Sequence, residues 1–227
     1  MNLPDMLLDL LFPPKCPFCG RILDRPEVCP ACLADLPRNK DAAVLRPLPG
    51  DLLCAAPLRY EGMARAGLLR FKFQGASGYA GALGALLADC LLTQFSGTFD
   101  TVTWVPVSRK RLRKRGYDQA ELLARAVCRR WGTRPMRLLW KTADNPAQSG
   151  LPGDKRRENV RNVYRAAKPS KIREKRILLI DDICTTGSTL SECARVLLEA
   201  GAETVACGAL AHAGIKKKTE KAGEFHK

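Results

Sequence analysis

The segment from Arg176 to Leu190, RILLIDDICTTGSTL, constrains the fold more than any other part of the chain. Its apolar first half predicts a buried strand that carries Asp181 and Asp182 to its carboxyl end. A turn of small, mostly hydroxyl-bearing residues follows, made of Thr185, Thr186, Gly187, Ser188 and Thr189. This turn enters a predicted helix that ends near Ala200, with Gly201 as its stop. A strand that leads directly into a helix is typical of α/β proteins.

This arrangement of acids and hydroxyls suits a sugar phosphate. Backbone N–H groups and hydroxyls at a helix N-terminus bind a phosphate dianion, and the preceding carboxylates accept hydrogen bonds from neighbouring ribose hydroxyls. The carboxyl end of a parallel strand is also where open α/β sheets bind ligands. A simple capping turn is the alternative, but it does not explain why two acids and five small residues lie together. A P-loop ATPase is excluded because the chain contains no G-x-x-x-x-G-K-[ST].

Strand-like and helical patterns alternate through the second half of the chain. The predicted strands are 101–107, 137–140, 176–180 and 204–210, and the predicted helices are 119–131 and 188–200. This alternation predicts an α/β fold with a parallel sheet covered by helices on both faces. Residues 145–161 are polar, basic and punctuated by Pro and Gly, so we expect a mobile loop there.

Composition divides the chain into three predicted parts. Residues 1–45 are rich in Cys and Pro and lack strong periodicity, so they predict a small module that a core alone does not organise. Residues 46–214 carry the alternating pattern of the main domain. The tail at 215–227 is charged enough for us to expect disorder.

Four cysteines in the first part form a metal-binding pattern, in which C-P-F-C and C-P-A-C are separated by nine residues. They are Cys16, Cys19, Cys29 and Cys32. Each C-x-x-C places two sulfurs on one turn, and two such turns supply the four thiolates of a tetrahedral site. We expect a structural zinc ion, with an iron–sulfur cluster or disulfides as alternatives. The other six cysteines are scattered through apolar surroundings, which fits core residues in a reducing compartment.

The chain has 227 residues and a formal net charge of +15, with basic residues concentrated at 109–115 and 155–176. Basic stretches this dense usually face an anion, either a phosphorylated small molecule or a nucleic acid, although a solvated surface is the simpler alternative. An apolar fraction of 46% excludes intrinsic disorder of the whole chain. The best apolar runs, 7–12 and 79–92, are too short to span a membrane, and the N-terminus makes a poor secretory signal. The cytoplasm is therefore the expected compartment.

The segment ILLIDDICTTGST resembles the phosphoribosyl diphosphate signature of type I phosphoribosyltransferases. More narrowly, the chain resembles the ComF family, in which a cysteine zinc module precedes a phosphoribosyltransferase-like domain and which is associated with DNA uptake and competence. Other matching segments are CPFCG with CPAC, YEG leading to KFQG, VPVSRKRLRKRGYDQAELLA and QSGLPGDKRRENV. Ser108, Tyr117 and Asp118 depart from the residues more often found in this family, so no role is assigned to Asp118.

The resemblance implies displacement of diphosphate from the anomeric carbon of phosphoribosyl diphosphate, with Mg²⁺ bound to the substrate. Arg109, Arg113 and Arg115 would stabilise the charge that develops on the leaving diphosphate. Arg156 and Arg157 would act from the mobile loop, which would close over the site and exclude water.

The resemblance also implies a binding role for residues outside the basic runs. Asp181 and Asp182 would hold the ribose, and the turn from Thr185 to Thr189 would hold its 5′-phosphate. Lys72 matches the family and is expected to reach the same site, with a surface lysine as the alternative.

Three functions stay open at this point: a transferase, a protein that binds phosphoribosyl diphosphate as a signal, and a factor that handles single-stranded DNA. In a mixed hypothesis, Arg109 and Arg113 serve the ligand. The other residues of the basic runs, among them Arg111, Lys114 and Arg115, make loose, salt-sensitive contacts with single-stranded DNA. An aromatic content of 6% counts against a dedicated nucleic-acid protein, because stacking platforms are scarce. The aromatic residues near the basic runs are Tyr117 and Tyr164.

Overall fold

The structure is a computed structural model that describes residues 13–39, 46–48, 52–73, 77–95, 99–143 and 162–214. Three predictions fall outside these residues: the mobile loop at 145–161 with Arg156 and Arg157, the end of the N-terminal module at residue 45, and the tail at 215–227. They stay predictions.

A largely parallel β-sheet forms the centre of the described structure. In chain order the strands are β1 Arg46–Leu48, β2 Leu52–Ala55, β3 Leu58–Arg59, β4 Thr101–Trp104, β5 Leu139–Lys141, β6 Tyr164–Ala166, β7 Arg176–Cys184 and β8 Thr204–His212. The main sheet has the order β1, β2, β8, β7, β4, and β3 continues beside β8 where β2 ends. β1 runs antiparallel to β2, whereas β2, β3 and β7 run parallel to β8, and β4 runs parallel to β7.

Helices cover both faces of this sheet, as the alternating pattern predicts. They are α1 Pro30–Asp35, α2 Gly62–Phe73, α3 Ala80–Gln94, α4 Arg109–Arg115, α5 Gln119–Arg130 and α6 Ser188–Glu199. Successive side chains of a strand point to opposite faces. Leu178 and Ile180 therefore pack into the core that includes α2, α3 and α5, and Ile177 and Leu179 pack into the core that includes α6.

Two predicted strands differ from the observed ones. The strand predicted at 101–107 ends at Trp104, because Pro106 has no N–H group to continue the ladder. The strand predicted at 137–140 does not join the parallel sheet: β5 pairs antiparallel with β6 in a separate sheet of two strands. Leu138, just before β5, donates its N–H to the side-chain oxygen of Thr103 rather than to the backbone of β4.

The apolar run at 79–92 forms most of α3, which is buried between α5 and the sheet. Gly84 lies against Ala126 of α5, and Leu91 lies against Gly208 of β8. No helix among the residues described is long and apolar enough to cross a membrane.

The four cysteine sulfurs of the N-terminal module lie within 4.8 Å of one another. The distance from Cys19 Sγ to Cys29 Sγ is 3.7 Å, and sulfurs bound tetrahedrally to zinc at about 2.3 Å are separated by about 3.8 Å. Burial opposes ionisation of Cys16, but hydrogen bonds from backbone N–H groups, chiefly that of Cys19, outweigh it and lower the pKa of this thiol to about 6. Burial, followed by hydrogen bonds with the neighbouring cysteines, raises the pKa of Cys32 in the same cluster. The spacing of the four sulfurs is what fits a structural zinc ion.

The cysteine module packs directly against α2. Phe18, inside the first C-x-x-C, is buried, and a Cβ added at Gly67 would lie 2.7 Å from its ring. Arg70 of the same helix donates hydrogen bonds to the carbonyl oxygens of Pro17, at 3.3 Å, and Phe18. The module and α2 therefore share one core.

Two glycines of α3 test the packing of α3 against α5, because their substitutions should change stability in opposite directions. Gly84→Ala would place a Cβ 2.3 Å from the Cβ of Ala126, and overpacking of this kind costs about 1–3 kcal/mol. Gly81→Ala meets nothing within 4 Å and gains about 0.5–1 kcal/mol from helix propensity. Thermal unfolding should therefore show a lower Tm for Gly84→Ala and an equal or higher Tm for Gly81→Ala. Equal stability of both variants would contradict the close approach of α3 and α5.

We expect one zinc ion per chain, lost in the double variant Cys16→Ser, Cys19→Ser. Structural zinc contributes about 10 kcal/mol or more to small modules, so the variant should unfold the module and expose Phe18. Elemental analysis and thermal unfolding measure both effects. The matched control replaces Cys90 and Cys128, which lie outside the cluster, and should keep the metal. Unchanged zinc content in the first variant would refute the assignment.

Candidate functional site

The turn predicted to bind phosphate, residues 185–189 and called the phosphate turn below, joins the end of β7 to the start of α6. Gly187 has a φ of +76°, a left-handed conformation that favours glycine. A Cβ there would also lie 2.5 Å from Leu48 Cδ2, because β1 covers the turn. Inside the turn, the hydroxyls of Thr186 and Ser188 are 2.8 Å apart and hydrogen-bonded. The N-terminus of a twelve-residue helix is therefore presented by a compact, hydroxyl-rich turn.

The two predicted acids lie on β7, beyond the last residue of β4, whose final pair is Trp104 with Ile180. Asp182 is buried, and the backbone N–H of Asp182 donates to Asp181 Oδ1 at 2.8 Å. Desolvation, followed by the neighbouring charge of Asp182, raises the pKa of Asp181 well above its ordinary range. Both acids thus lie near the carboxyl edge of the sheet, and two residues separate them from the phosphate turn.

Lys72, which is distant in sequence, reaches this acid pair. Its Nζ lies 3.0 Å from Asp182 Oδ2, and the charge of Asp182 raises the pKa of the lysine. Lys72 therefore contacts the acid pair, and its role in ligand binding stays a prediction.

The end of α2 is held in place by residues of the corner between α4 and α5. The hydroxyl of Tyr117 donates to the carbonyl oxygen of Phe71, and Gln119 Nε2 donates to that of Lys72 at 3.3 Å. Gln119 is buried, and its Oε1 accepts a hydrogen bond from Arg115 at 3.1 Å. Gln119 thus connects the backbone of Lys72 to the guanidinium of Arg115. Sequence reasoning assigned no role to Gln119.

The basic run after β4 forms the helix α4, and its arginines differ in exposure. Arg115 is half-buried; burial lowers its pKa, and the charge of Asp182 opposes that shift. Arg111, one turn earlier, is also half-buried, whereas Arg109 and Arg113 are exposed. The charge of Asp182 thus acts on Arg115, to which the mixed hypothesis gave a DNA contact, and that hypothesis stays a prediction.

Asp118, to which the sequence assigned no role, fixes the loop between β4 and α4. Its carboxylate caps α5 by accepting from the N–H of Ala120 at 3.1 Å and also accepts from the N–H of Val107 at 3.0 Å. Burial raises its pKa to about 6. An acid three residues before Glu121 is a helix-capping pattern, so this role was readable from the sequence.

Comparison with known proteins matches both parts of the chain to families. Residues 115–226 match the Phosphoribosyl transferase domain, and residues 7–58 match the Double zinc ribbon domain. The second match covers all four clustered cysteines, which supports a structural zinc site.

Curated relatives are named for competence and DNA utilization. Competence protein ComFC of Bacillus subtilis is 31% identical over 82% of this chain and 72% of its own length. Competence protein F of Haemophilus influenzae is 32% identical over 63% of this chain and 66% of its own. DNA utilization protein YhgH of Salmonella typhi is 28% identical over 84% and 86%.

Among solved structures, glutamine phosphoribosylpyrophosphate amidotransferase of B. subtilis is 19% identical, with a TM-score of 0.43 over 63% of this chain and 30% of that one. The parallel sheet with its flanking helices and four-cysteine module agrees with both domain matches. Because the alignment with ComFC also spans most of both proteins, the chain belongs to the ComF family, with a zinc ribbon module followed by a phosphoribosyltransferase-type domain.

Proposed function

We propose that this protein binds phosphoribosyl diphosphate together with Mg²⁺ and transfers the phosphoribosyl group. The observation that carries the proposal is the acid pair before the phosphate turn, with Lys72 at 3.0 Å from Asp182. Asp181 and Asp182 would accept hydrogen bonds from the ribose hydroxyls. The backbone N–H groups and hydroxyls from Thr185 to Thr189 would bind the 5′-phosphate.

In the proposed transfer, the bond from the anomeric carbon to diphosphate breaks and a bond to the acceptor nucleophile forms. The diphosphate leaves with the bonding electrons, and cations beside the site stabilise its charge. The charge of Asp182 acts on Arg115, so among the described arginines we assign stabilisation of the leaving diphosphate to Arg115. Arg109 and Arg113 were predicted for the same task, but they are exposed and are assigned to DNA below. Arg156 and Arg157 remain further predictions for it. Mg²⁺, when bound to the substrate, would neutralise part of the diphosphate charge.

The relatives' names and the charge of the chain support a second component of the function. ComFC and YhgH are named for competence and DNA utilization. Among the exposed residues of α4 are Arg109, Lys110, Arg113 and Lys114. We infer that the protein handles single-stranded DNA in the cytoplasm during DNA uptake, with phosphoribosyl diphosphate as substrate or as signal.

Replacement of both acids tests the ligand site. Asp181→Asn with Asp182→Asn should weaken Mg²⁺-dependent binding of phosphoribosyl diphosphate at least tenfold, about 1.4 kcal/mol, because charged hydrogen bonds are worth roughly 1.5–3 kcal/mol each. Titration calorimetry measures the affinity. Asp89→Asn, at an exposed position of α3, is the control and should bind as the wild type does. Equal binding by the double variant, or no binding by any protein, would refute the proposal.

Two neighbouring cations of α4 separate a role in the site from a general effect of charge. Arg115→Gln should weaken phosphoribosyl diphosphate binding several-fold, because it removes a half-buried cation of α4 on which the charge of Asp182 acts. Lys114→Gln removes the same charge from an exposed position and should change affinity less than twofold. A similar loss in both variants would show that net charge, rather than position, controls binding.

Diphosphate release distinguishes the transferase from the sensor. Incubation with phosphoribosyl diphosphate, Mg²⁺ and a cell metabolite extract should release diphosphate faster than incubation without protein. The doubly substituted acid variant serves as the control and should not exceed the background rate. Tight binding without release would favour a protein that only senses the ligand.

A further inference from the structure

An exposed indole ring lies beside the edge strand β4, outside the acid pair and the phosphate turn. Trp140 of β5 is 45% exposed. The guanidinium carbon of Arg137 lies 4.7 Å from the centre of the Trp140 ring and 5.3 Å from that of the buried Trp104. Arg137 therefore contacts two indole rings, one buried and one open to solvent.

An ion pair with α5 also holds the side chain of Arg137. Arg137 Nη2 lies 2.9 Å from Glu121 Oε2 in the first turn of α5. Glu121 is itself held by Arg125, at 2.7 Å, on the next turn of that helix. Arg137, held by Glu121 and Trp104, therefore supports the Trp140 ring before any partner binds. Preorganisation of this kind lowers the entropic cost of binding.

Trp140 also lines a cavity of about 330 Å³ that opens between α4 and the end of β5. Three of the lining residues are cations, Arg109, Lys110 and Lys141, and none of the described lining residues is acidic. The volume lies at the lower end of the range for ligand sites, about 300–1,000 Å³. An aromatic wall next to cations matches a planar ring joined to a phosphate.

We propose that Trp140 stacks against a base of single-stranded DNA while Arg109 and Lys110 contact the adjacent phosphates. The strand would continue along the exposed basic face of α4, past Arg113 and Lys114. Charge complementarity supports this occupant, and a single strand is favoured because a duplex hides the faces of its bases. The inference rests on the proposed DNA function and assigns a site to it.

The aromatic residues near the basic runs are less suited to this role. Tyr117 packs against Phe71 at 6.2 Å between ring centres, and its hydroxyl is bonded to the backbone of α2. Tyr164 is only 4% exposed. Sequence reasoning missed Trp140 because this residue lies between the basic runs, and the fold brings it next to α4.

Fluorescence anisotropy with a labelled oligothymidylate across a salt series tests the site in the full-length protein. Trp140→Ala should weaken binding about tenfold at every salt concentration, because stacking of a base on an aromatic ring contributes substantially to the binding free energy. The slope of affinity against salt concentration should stay unchanged. Trp140→Phe, the matched control, should stay within about threefold of the wild type. Arg109→Gln with Lys110→Gln should instead flatten the slope by about 1.4, or about 0.7 for each phosphate that the protein no longer neutralises.

Other results would overturn the stacking site, the DNA function or both. Unchanged binding by Trp140→Ala would overturn the proposed stacking on Trp140 and leave the DNA function standing. Absence of oligonucleotide binding by the wild type would overturn the DNA function as well. Binding of thymidine monophosphate as tight as that of the oligomer would show a nucleotide site instead of a strand site. If Trp140→Ala does not fold, indole fluorescence decides: DNA should quench the wild type strongly and Trp140→Phe weakly, and equal quenching overturns the proposal.

Discussion

The placement of two adjacent carboxyl groups at the carboxyl end of β7 is the constraint on which the rest of the site depends. Burial and mutual repulsion disfavour two charges there, which is why the pKa of Asp181 is raised. Lys72 supplies the opposing charge through its ion pair with Asp182. A ligand that brings hydroxyl donors and a bound cation would stabilise both carboxylates, so the local electrostatics match a sugar diphosphate better than an apolar ligand.

The structure positions Lys72 through contacts that begin in the zinc module. Phe18 packs against Gly67, and Arg70 binds the carbonyl oxygens of the first C-x-x-C turn. The other end of α2 is held by Tyr117 and Gln119. A zinc ion held by the four cysteines would therefore stabilise the helix that carries Lys72. With all four ligand positions filled by cysteine, it would have no open position for a substrate.

The sequence predicted those features that residue type and short-range spacing determine. The strand, the acids and the hydroxyl turn of β7 and α6 were readable because residue type and spacing determine them, and so were the four cysteines. The pairing of β5 with β6 and the contact of Arg137 with two indoles were not, because each depends on residues distant in the chain. The family resemblance suggested that Lys72 reaches the site, but its ion-pair partner Asp182 was seen only in the structure. Which residues of α4 are exposed could be seen only in the structure, since a run of basic residues has no apolar periodicity that would orient the helix.

A crystal structure of the protein with phosphoribosyl diphosphate and Mg²⁺ tests the central claim most directly. We expect the ribose hydroxyls within hydrogen-bond distance of Asp181 and Asp182, and the 5′-phosphate on the N–H groups of the turn from Thr185 to Thr189. Ligand density at another place on the molecule, or an unaltered acid pair at saturating ligand, would contradict the account.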